Sequence, residues 1–252
     1  MRAAWYESRG PAAEVLRVGE IPDPHAGPGE VRIRIARSGI NPGDVKKRAP
    51  WLGHTVPAYP RITAHRLVFH GDPVRGRRVL VQGGAGAVGA LAVRLAVAGG
   101  AEVIATVRDA AQVEAVRAAG ASHVLTTRGD ELVVEVLAAN EGRGVERIVD
   151  VAFAANVEVD TRLLAVGGTL ASYATDAEQP KIPFWPLLFK DASIYLCGSD
   201  EVPLTAKREA ANALLAQGWD GPPAGEELPL EHIAEAHETV DRGARARVLL
   251  AL

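Results

Sequence analysis

Residues 78–96 read RVLVQGGAGAVGALAVRLA, and this stretch decides the fold of the chain. Val79 to Val81 form a short apolar run, which predicts a fully buried strand. Beyond the glycines, apolar residues recur at the i, i+3, i+4 spacing of a helix. A Gly-x-Gly-x-x-Gly pattern, formed by Gly84, Gly86 and Gly89, therefore lies between a strand and a helix. This is the context that a dinucleotide site requires.

Each glycine of the pattern has a physical task at such a site. The first permits a tight turn, the second lets the backbone approach a pyrophosphate, and the third lets helix and strand pack closely. The anion then rests on free N–H groups at the positive dipole end of the helix. We therefore predict cofactor binding, with a purely structural turn as the alternative, because many glycine-rich turns bind nothing.

The composition is that of an ordinary globular protein, and 252 residues suffice for one large domain or two smaller ones. A net charge of −3 argues against nucleic acid or an anionic membrane as a partner. No apolar run approaches the roughly 20 residues of a membrane span, and the N-terminus lacks the pattern of a signal peptide. A single cysteine, Cys197, excludes an intrachain disulfide and a cysteine-rich zinc site. We expect a reducing, cytoplasmic setting.

Apolar patterning beyond residue 100 predicts an α/β fold. Five further strands are separated by helical segments of about ten residues, which indicates right-handed crossovers and a doubly wound parallel sheet. Ligands are expected at the carboxyl ends of its strands. The predicted strands cover residues 102–107, 122–126, 147–151, 169–173 and 192–197, and the predicted helices cover 110–119, 131–139 and 156–165.

The sequence toward the two ends of the chain predicts both strands and helices. Residues 31–35 (VRIRI) alternate apolar side chains with arginine, the signature of a half-buried strand. We interpret the basic run at 46–48 (KKR) as a solvated loop end, with phosphate binding as the alternative. Further predictions are helices at 63–69, 204–217 and 230–241, a hinge or linker at 221–223, and a final strand at 248–252.

The end of the second predicted strand favours NADPH over NADH. An NAD site usually places Asp or Glu there, about twenty residues beyond the glycines, to accept from the ribose 2′-hydroxyl. Here Val107 occupies that position and Arg108 follows it, and a guanidinium pairs well with a 2′-phosphate. Two alternatives stay open: Arg108 is only a solvated helix-start residue, and Asp109 caps that helix or partly neutralises the charge.

Several stretches carry a family resemblance: GAGAVG at 84–89, AEVIAT at 101–106, AGA at 119–121, MRAA at 1–4, GEVRI at 29–33 and SGINPGD at 38–44. They resemble the medium-chain dehydrogenase/reductase superfamily, in its zinc-free, zeta-crystallin-like quinone oxidoreductase branch. The resemblance implies NADPH-dependent reduction of a quinone or an activated alkene or carbonyl. It also implies a homodimer that pairs through the edge strand at Ala192–Cys197.

The same resemblance implies roles for individual residues. Asn41 matches an active-site asparagine near the nicotinamide, and Thr63 matches a threonine that contacts the cofactor. Arg245 or Arg247 lies near a C-terminal arginine that some members use on the cofactor phosphate. The implied pyrophosphate turn comprises Gly84, Ala85, Gly86, Ala87, Val88 and Gly89. From the pattern alone, the alternative that Asn41 caps the Asn-Pro-Gly-Asp turn is favoured over an active-site role.

The chain departs from the family between Ile62 and Thr63. At that point the family has a long barrel segment that supplies several strands and part of the wall of the substrate cleft. The resemblance therefore implies a truncated GroES-like catalytic domain at 1–62 and an NADP-binding Rossmann domain at 63–220. A C-terminal helix and strand at 221–252 would return to the catalytic domain.

Three functions follow from these observations. The first is an NADPH-dependent reductase, for which hydride transfer needs no metal, and the sequence holds no HExxH motif or Cys/His ligand spacing. The second is an NADPH-binding protein with little or no catalysis, which the shortened front end favours. The third is a nucleotide-fold methyltransferase, which the absence of an acidic ribose-binding residue disfavours.

Overall fold

The computed structural model describes residues 1–48, 60–175, 177–198, 202–216, 224–244 and 247–252, with only the backbone described at Pro60 and Ala224. The chain divides into two compact units. The smaller unit joins Met1–Ala58 to Asp220–Leu252, and the larger unit comprises Tyr59–Trp219. In the part of the chain that is described, no helix is both long and apolar enough to cross a membrane.

The described residues form the following elements. The strands are β1 (Arg2–Trp5), β2 (Arg17–Glu20), β3 (Arg37–Gly39), β4 (Arg78–Val81), β5 (Glu102–Thr106), β6 (His123–Leu125), β7 (Val145–Asp150), β8 (Leu164–Ser172), β9 (Ser193–Leu196), β10 (Ala224–Pro229) and β11 (Arg247–Ala251). The helices are α1 (Ala12–Val15), α2 (Pro42–Arg48), α3 (Pro60–Phe69), α4 (Gly89–Ala98), α5 (Val113–Ala118), α6 (Gly129–Ala139), α7 (Phe153–Leu163), α8 (Phe184–Phe189), α9 (Leu204–Ala216) and α10 (Ile233–Asp241). Short 3₁₀ turns at Ala110–Gln112 and Leu230–His232 precede α5 and α10.

The larger unit is built on a six-stranded sheet in which every pairing is parallel, in the order β6-β5-β4-β7-β8-β9. Its two faces carry separate cores. Val79 and Val81 of β4 pack among residues of α3 and α4, whereas Leu80 faces residues of α6 and α7. The predicted α/β doubly wound parallel sheet is confirmed.

The chain adds strands to the sheet first on one side of β4 and then on the other side. β5 and β6 lie on one side of β4, and β7, β8 and β9 lie on the other side. In an open parallel sheet, ligands bind in the crevice outside the carboxyl ends of the strands at such a switch point. The fold therefore places the expected ligand crevice between the ends of β4 and β7.

The smaller unit contains an antiparallel hairpin of β1 and β2 and a three-stranded sheet in the order β10-β11-β3. β11 runs antiparallel to β3 and parallel to β10, so the C-terminal strand joins the N-terminal residues in one sheet. The apolar core of this unit contains Ile40 and Val45 together with Leu230, Val248 and Leu250. The sequence analysis did not predict β10, because its residues AGEELP contain neither an apolar run nor an alternation.

The predicted strand at residues 31–35 is wrong. These residues form no strand, and the apolar side chains that were expected to be half-buried are 81% (Val31), 70% (Ile33) and 53% (Ile35) exposed. A strand forms only when a neighbour supplies hydrogen bonds and a face to cover. Among the described residues, the pairing of β3 with β11 begins only at Arg37. An alternating pattern alone was therefore insufficient to predict a strand.

The interpretation of residues 46–48 as a solvated loop end is also wrong. These residues form the last turn of α2, where Lys47 and Arg48 are buried. Nη1 of Arg48 donates to the carbonyl oxygen of Gly10, and the backbone N–H of Gly10 donates to the carbonyl oxygen of Arg48 at 3.2 Å. The basic side chain thus connects α2 to the loop before α1.

Arg147 fixes α3 against the sheet. It lies near the start of β7, is 2% exposed, and donates from Nη1 to the carbonyl oxygen of Leu67 at 3.0 Å. Its Nη2 donates to the carbonyl oxygen of His70 at 2.8 Å. Burial lowers the pKa of Arg147. A cation is favoured here because the last carbonyl groups of a helix carry partial negative charge.

We predict that Arg147→Met lowers the free energy of unfolding by about 3 kcal/mol, because two buried carbonyl groups would lose a charged donor. Urea denaturation followed by circular dichroism measures the change. Arg143→Met, at an exposed arginine paired with Glu141, is the matched control and should alter stability by less than about 0.5 kcal/mol. Equal effects of the two substitutions on stability would contradict the role of Arg147 in fixing α3 against the sheet.

Candidate functional site

The glycine turn after β4 is anchored to the neighbouring strand. The backbone N–H of Gly83 donates to Oγ1 of Thr106 at 3.0 Å, and that of Gly84 donates to the carbonyl oxygen of Thr106 at 2.8 Å. Gly83 has a φ of +70°, a conformation that favours glycine. The sequence analysis assigned the tight turn to Gly84, whereas the left-handed residue is Gly83. The Gly83-Gly84 pair was the signal that could have revealed it.

Close packing explains two glycines of the pattern. A side-chain carbon at Gly89 would overlap the carbonyl oxygen of Gly83 and lie 2.8 Å from its carbonyl carbon. A side-chain carbon at Gly84 would lie 3.0 Å from Cβ of Ala105. α4 therefore begins directly against the turn, and it can do so only because these positions lack side chains.

The tip of the turn is open to solvent. Gly86 and Ala87 are exposed, although Val88 and Gly89 beside them are buried. The N–H of Ala90 already donates to the carbonyl oxygen of Gly86 at 2.9 Å, so the helical hydrogen bonds begin at the tip itself. The first N–H groups of a helix have no partner within it and attract anions. At the tip, the N–H of Gly86 donates to the carbonyl oxygen of Gly83 at 2.9 Å, so the N–H groups that follow it are the candidates for an anion.

Arg108 and Asp109 follow β5, two and three residues beyond the threonine that anchors the turn. Arg108 is exposed and makes no hydrogen bond or ion pair with any other described residue. The side chain of Asp109 accepts from the backbone N–H of Ala111 at 3.0 Å and caps the 3₁₀ turn. Asp109 therefore has the capping role considered from the sequence, and the Arg108 guanidinium stays available to a ligand.

The remaining predicted site residues lie elsewhere in the chain. Asn41 is in the smaller unit, where its N–H and Nδ2 donate to Oδ2 of Asp44 at 2.8 and 3.1 Å. Both bonds are therefore accepted by the Asp44 carboxylate, and Asn41 directly precedes α2. Thr63 is buried on α3 of the larger unit. Arg247 begins β11, and Arg245 lies outside the described residues.

A buried polar pair that the sequence analysis missed lies at the base of the glycine turn. Gln82 directly precedes the turn, and its Nε2 donates to Oδ1 of Asp160 on α7. Asp160 is 1% exposed, and its Oδ2 has no hydrogen-bond partner in the described structure. Burial, and then the nearby charge of Asp150, raise the pKa of Asp160 well above its usual range, which the Gln82 hydrogen bond only partly opposes. Asp160 therefore keeps its proton to a higher pH than an exposed aspartate does.

The match to a known protein family lies within the larger unit. Residues 87–214, half of the chain, match the family model described as zinc-binding dehydrogenase. The chain belongs to this family. The predicted membership of the medium-chain dehydrogenase/reductase superfamily, in its quinone oxidoreductase-like branch, is confirmed.

Human quinone oxidoreductase is 29% identical over 194 residues, which cover 74% of this chain and 58% of that protein. The chain thus spans less than two thirds of the length of this relative. Two solved structures share the fold. An NAD-dependent alcohol dehydrogenase has a TM-score of 0.85 at 22% identity, and a mycobacterial protein complexed with NADPH has a TM-score of 0.78 at 23% identity. Both matches cover 100% of both chains.

The family's description includes zinc, but the described residues do not fit a zinc site. In the described ranges, no three His, Cys, Asp or Glu side chains come together. Cys197 is buried in the core, and burial raises the pKa of its thiol.

The raised pKa of Asp160 predicts a pH-dependent stability. The pKa of an aspartate in the unfolded chain is about 4. Below that pH, Asp160 is protonated in both the folded and the unfolded state and does not lower the free energy of unfolding. Above it, the folded state holds the proton that the unfolded state has lost. The free energy of unfolding of the native protein should therefore fall by about 1.4 kcal/mol per pH unit, relative to Asp160→Asn, until the folded pKa is reached.

Urea denaturation between pH 4 and 9 tests this expectation. Asp160→Asn keeps an acceptor for Gln82 and carries no charge, so its advantage over the native protein should grow with pH. Asp130→Asn is the control, because Asp130 is exposed and paired with Arg162. Parallel stability curves for the native protein and Asp160→Asn would show that Asp160 is ionised in the folded protein.

Proposed function

We propose that this protein is an NADPH-dependent oxidoreductase that transfers a hydride to a quinone or to an activated alkene or carbonyl. One observation carries the proposal. The turn between β4 and α4 lacks side chains where a diphosphate needs close backbone approach, and its tip at Gly86 and Ala87 is exposed. The family membership and the similarity to human quinone oxidoreductase support it.

In this proposal the larger unit binds and orients the cofactor. Backbone N–H groups between the exposed tip and the first turn of α4 hold the diphosphate. The bound nicotinamide supplies the hydride, and the protein supplies position and keeps water out. The crevice between the ends of β4 and β7 is the general ligand position of this sheet, so the reactive end of the cofactor is expected there.

The local residues favour NADPH over NADH. Val107 is buried at the end of β5, so no carboxylate stands there to accept from a ribose 2′-hydroxyl or to repel a 2′-phosphate. Arg108 is exposed and has no acidic partner among the described residues. The two similar structures carry different cofactors in their descriptions, NAD and NADPH, so the choice rests on Arg108.

Roles for Asn41, Thr63 and Arg245 are part of the same proposal. Asn41 would act beside the nicotinamide, Thr63 would contact the cofactor, and Arg245 would contact a cofactor phosphate. The contact of Asn41 with Asp44 holds its amide in one orientation, which is what a residue that orients a ligand requires.

We further propose a homodimer that forms through β9. This strand lies at the edge of the six-stranded sheet, so one side of its backbone has no paired strand among the described residues. Apolar side chains of α8 and β9 are exposed, among them Trp185, Phe189 and Leu196. A second copy that pairs with the same edge would cover both the backbone groups and the apolar surface.

The alternative is a protein that binds NADPH but turns over no substrate. The exposed, unpaired segment at 31–35 favours it, as does the chain's coverage of only 58% of the human relative. These features belong to the smaller unit, whereas the glycine turn belongs to the larger one. Binding and turnover can therefore be lost separately.

Calorimetric titration with NADPH and NADH, followed by addition of 1,4-benzoquinone, separates these functions. Binding of NADPH followed by quinone-dependent loss of its absorbance is the expected result. Binding without turnover would support the alternative, and binding of neither nucleotide would contradict both.

We predict that Arg108→Ala weakens NADPH binding by about 10- to 100-fold, because a charged hydrogen bond to the 2′-phosphate would be lost. The affinity for NADH, which lacks that phosphate, should stay within about twofold. Arg117→Ala is the control, since Arg117 is exposed and paired with Glu114. Equal losses for NADPH and NADH would contradict the assigned role of Arg108.

A further inference from the structure

Asp150 is the centre of a buried hydrogen-bond network at the end of β7. It is 0% exposed. Its Oδ1 and Oδ2 accept from the backbone N–H of Ala152 at 3.1 and 3.2 Å. Oδ1 also accepts from Nδ2 of Asn156 at 2.7 Å, and Oδ2 accepts from Oγ of Ser172 at 2.6 Å. Both oxygens are therefore satisfied within the protein.

The donors belong to different elements. Ala152 lies in the loop after β7, Asn156 lies in the first turn of α7, and Ser172 ends β8. A buried carboxylate is tolerated only when donors surround it. Displacement of the loop would remove a donor from Asp150 and leave its oxygen unsatisfied. The network thus holds the loop at 151–152 in a single position.

This loop contacts the glycine turn. A side-chain carbon at Gly83 would lie 3.2 Å from Cγ1 of Val151, so the valine packs directly against the turn. The backbone N–H of Gln82 donates to the carbonyl oxygen of Val149 at 2.9 Å, which continues the pairing of β4 with β7 up to the turn. The loop held by Asp150 therefore borders the crevice at the switch point of the sheet.

The positions of the flanking strands indicate which half of the cofactor lies there. Arg108, the proposed partner of the 2′-phosphate, follows β5 on one side of β4. β7 lies on the other side of β4. A dinucleotide whose diphosphate rests on α4 and whose adenosine half extends toward β5 must extend its other half toward β7.

We propose that Asp150 is the positioning residue for the nicotinamide half of the cofactor. It acts through Val151 and Ala152, which form the wall of the crevice, and it does not itself touch the reacting atoms. This inference rests on the proposed function.

The test compares two nucleotides by calorimetry. NADPH contains both halves of the cofactor, whereas 2′,5′-ADP contains the adenosine half with its 2′-phosphate and no nicotinamide. Asp150→Asn keeps the size of the side chain and can still accept at one oxygen, but its NH₂ group cannot accept from Ser172 or Asn156. The expected result is an NADPH affinity about tenfold weaker, with the affinity for 2′,5′-ADP within about twofold of the native value.

Ser172→Ala provides a second variant if Asp150→Asn does not fold. It removes one donor from Asp150, and we expect a smaller loss in the same direction, again confined to NADPH. Asp130→Asn, an exposed carboxylate on α6, is the control and should change neither affinity.

Equal weakening of both nucleotides would overturn the proposal, because it would show a general structural role. Unchanged NADPH binding in folded Asp150→Asn and Ser172→Ala would overturn it as well. If the native protein binds 2′,5′-ADP and NADPH equally well, the nicotinamide half makes no contact and the positioning role is wrong, although the nucleotide site stands. If the native protein binds neither, the proposed function itself is wrong.

Discussion

The close contact between the start of α4 and the turn after β4 is the constraint on which the larger unit depends. Gly89 lies so near the carbonyl group of Gly83 that any side chain there would overlap it. The contact sets the direction of α4, and the exposed tip at Gly86 and Ala87 lies directly before the helix. Thr106 adds two hydrogen bonds from the neighbouring strand. A turn held on two sides in this way presents its backbone in one fixed orientation.

β7 carries a buried arginine near its start and a buried aspartate at its end, and each contacts neighbouring elements. Arg147, near its start, donates to carbonyl groups at the end of α3. Asp150, at its end, accepts from amide and hydroxyl groups of the loop, α7 and β8. The sheet is buried on both faces, so each charge requires several partners. The cation fixes a helix at one end of the strand, and the carboxylate shapes the ligand end.

The sequence predicts the larger unit well because strands of a doubly covered parallel sheet are short apolar runs between helical segments. All six strands overlap their predicted positions, although β8 begins at Leu164, five residues before the predicted strand and within the predicted helix at 156–165. The smaller unit is less predictable, since residues 31–35 alternate as a strand does but have no strand paired with them among the described residues. Alternating apolar and polar residues indicate that a segment can form a strand. Whether a partner strand lies beside that segment depends on the whole fold. For the same reason, β10 became visible only through its pairing with β11.

The candidate site divides in the same way. Gly84, Gly86, Gly89 and Arg108 could be proposed from the sequence because their spacing is local. Gly83 was missed because its neighbour satisfied the pattern, and Thr106 and Asp150 were missed because their roles arise from residues distant in sequence.

Backbone amide hydrogen exchange, with and without NADPH, tests the central claim most directly. If the diphosphate rests on the start of α4, exchange at residues 86–89 should slow on addition of NADPH, while exchange in α6 stays unchanged. NADPH binding that leaves exchange at residues 86–89 unaltered would contradict this account of the site.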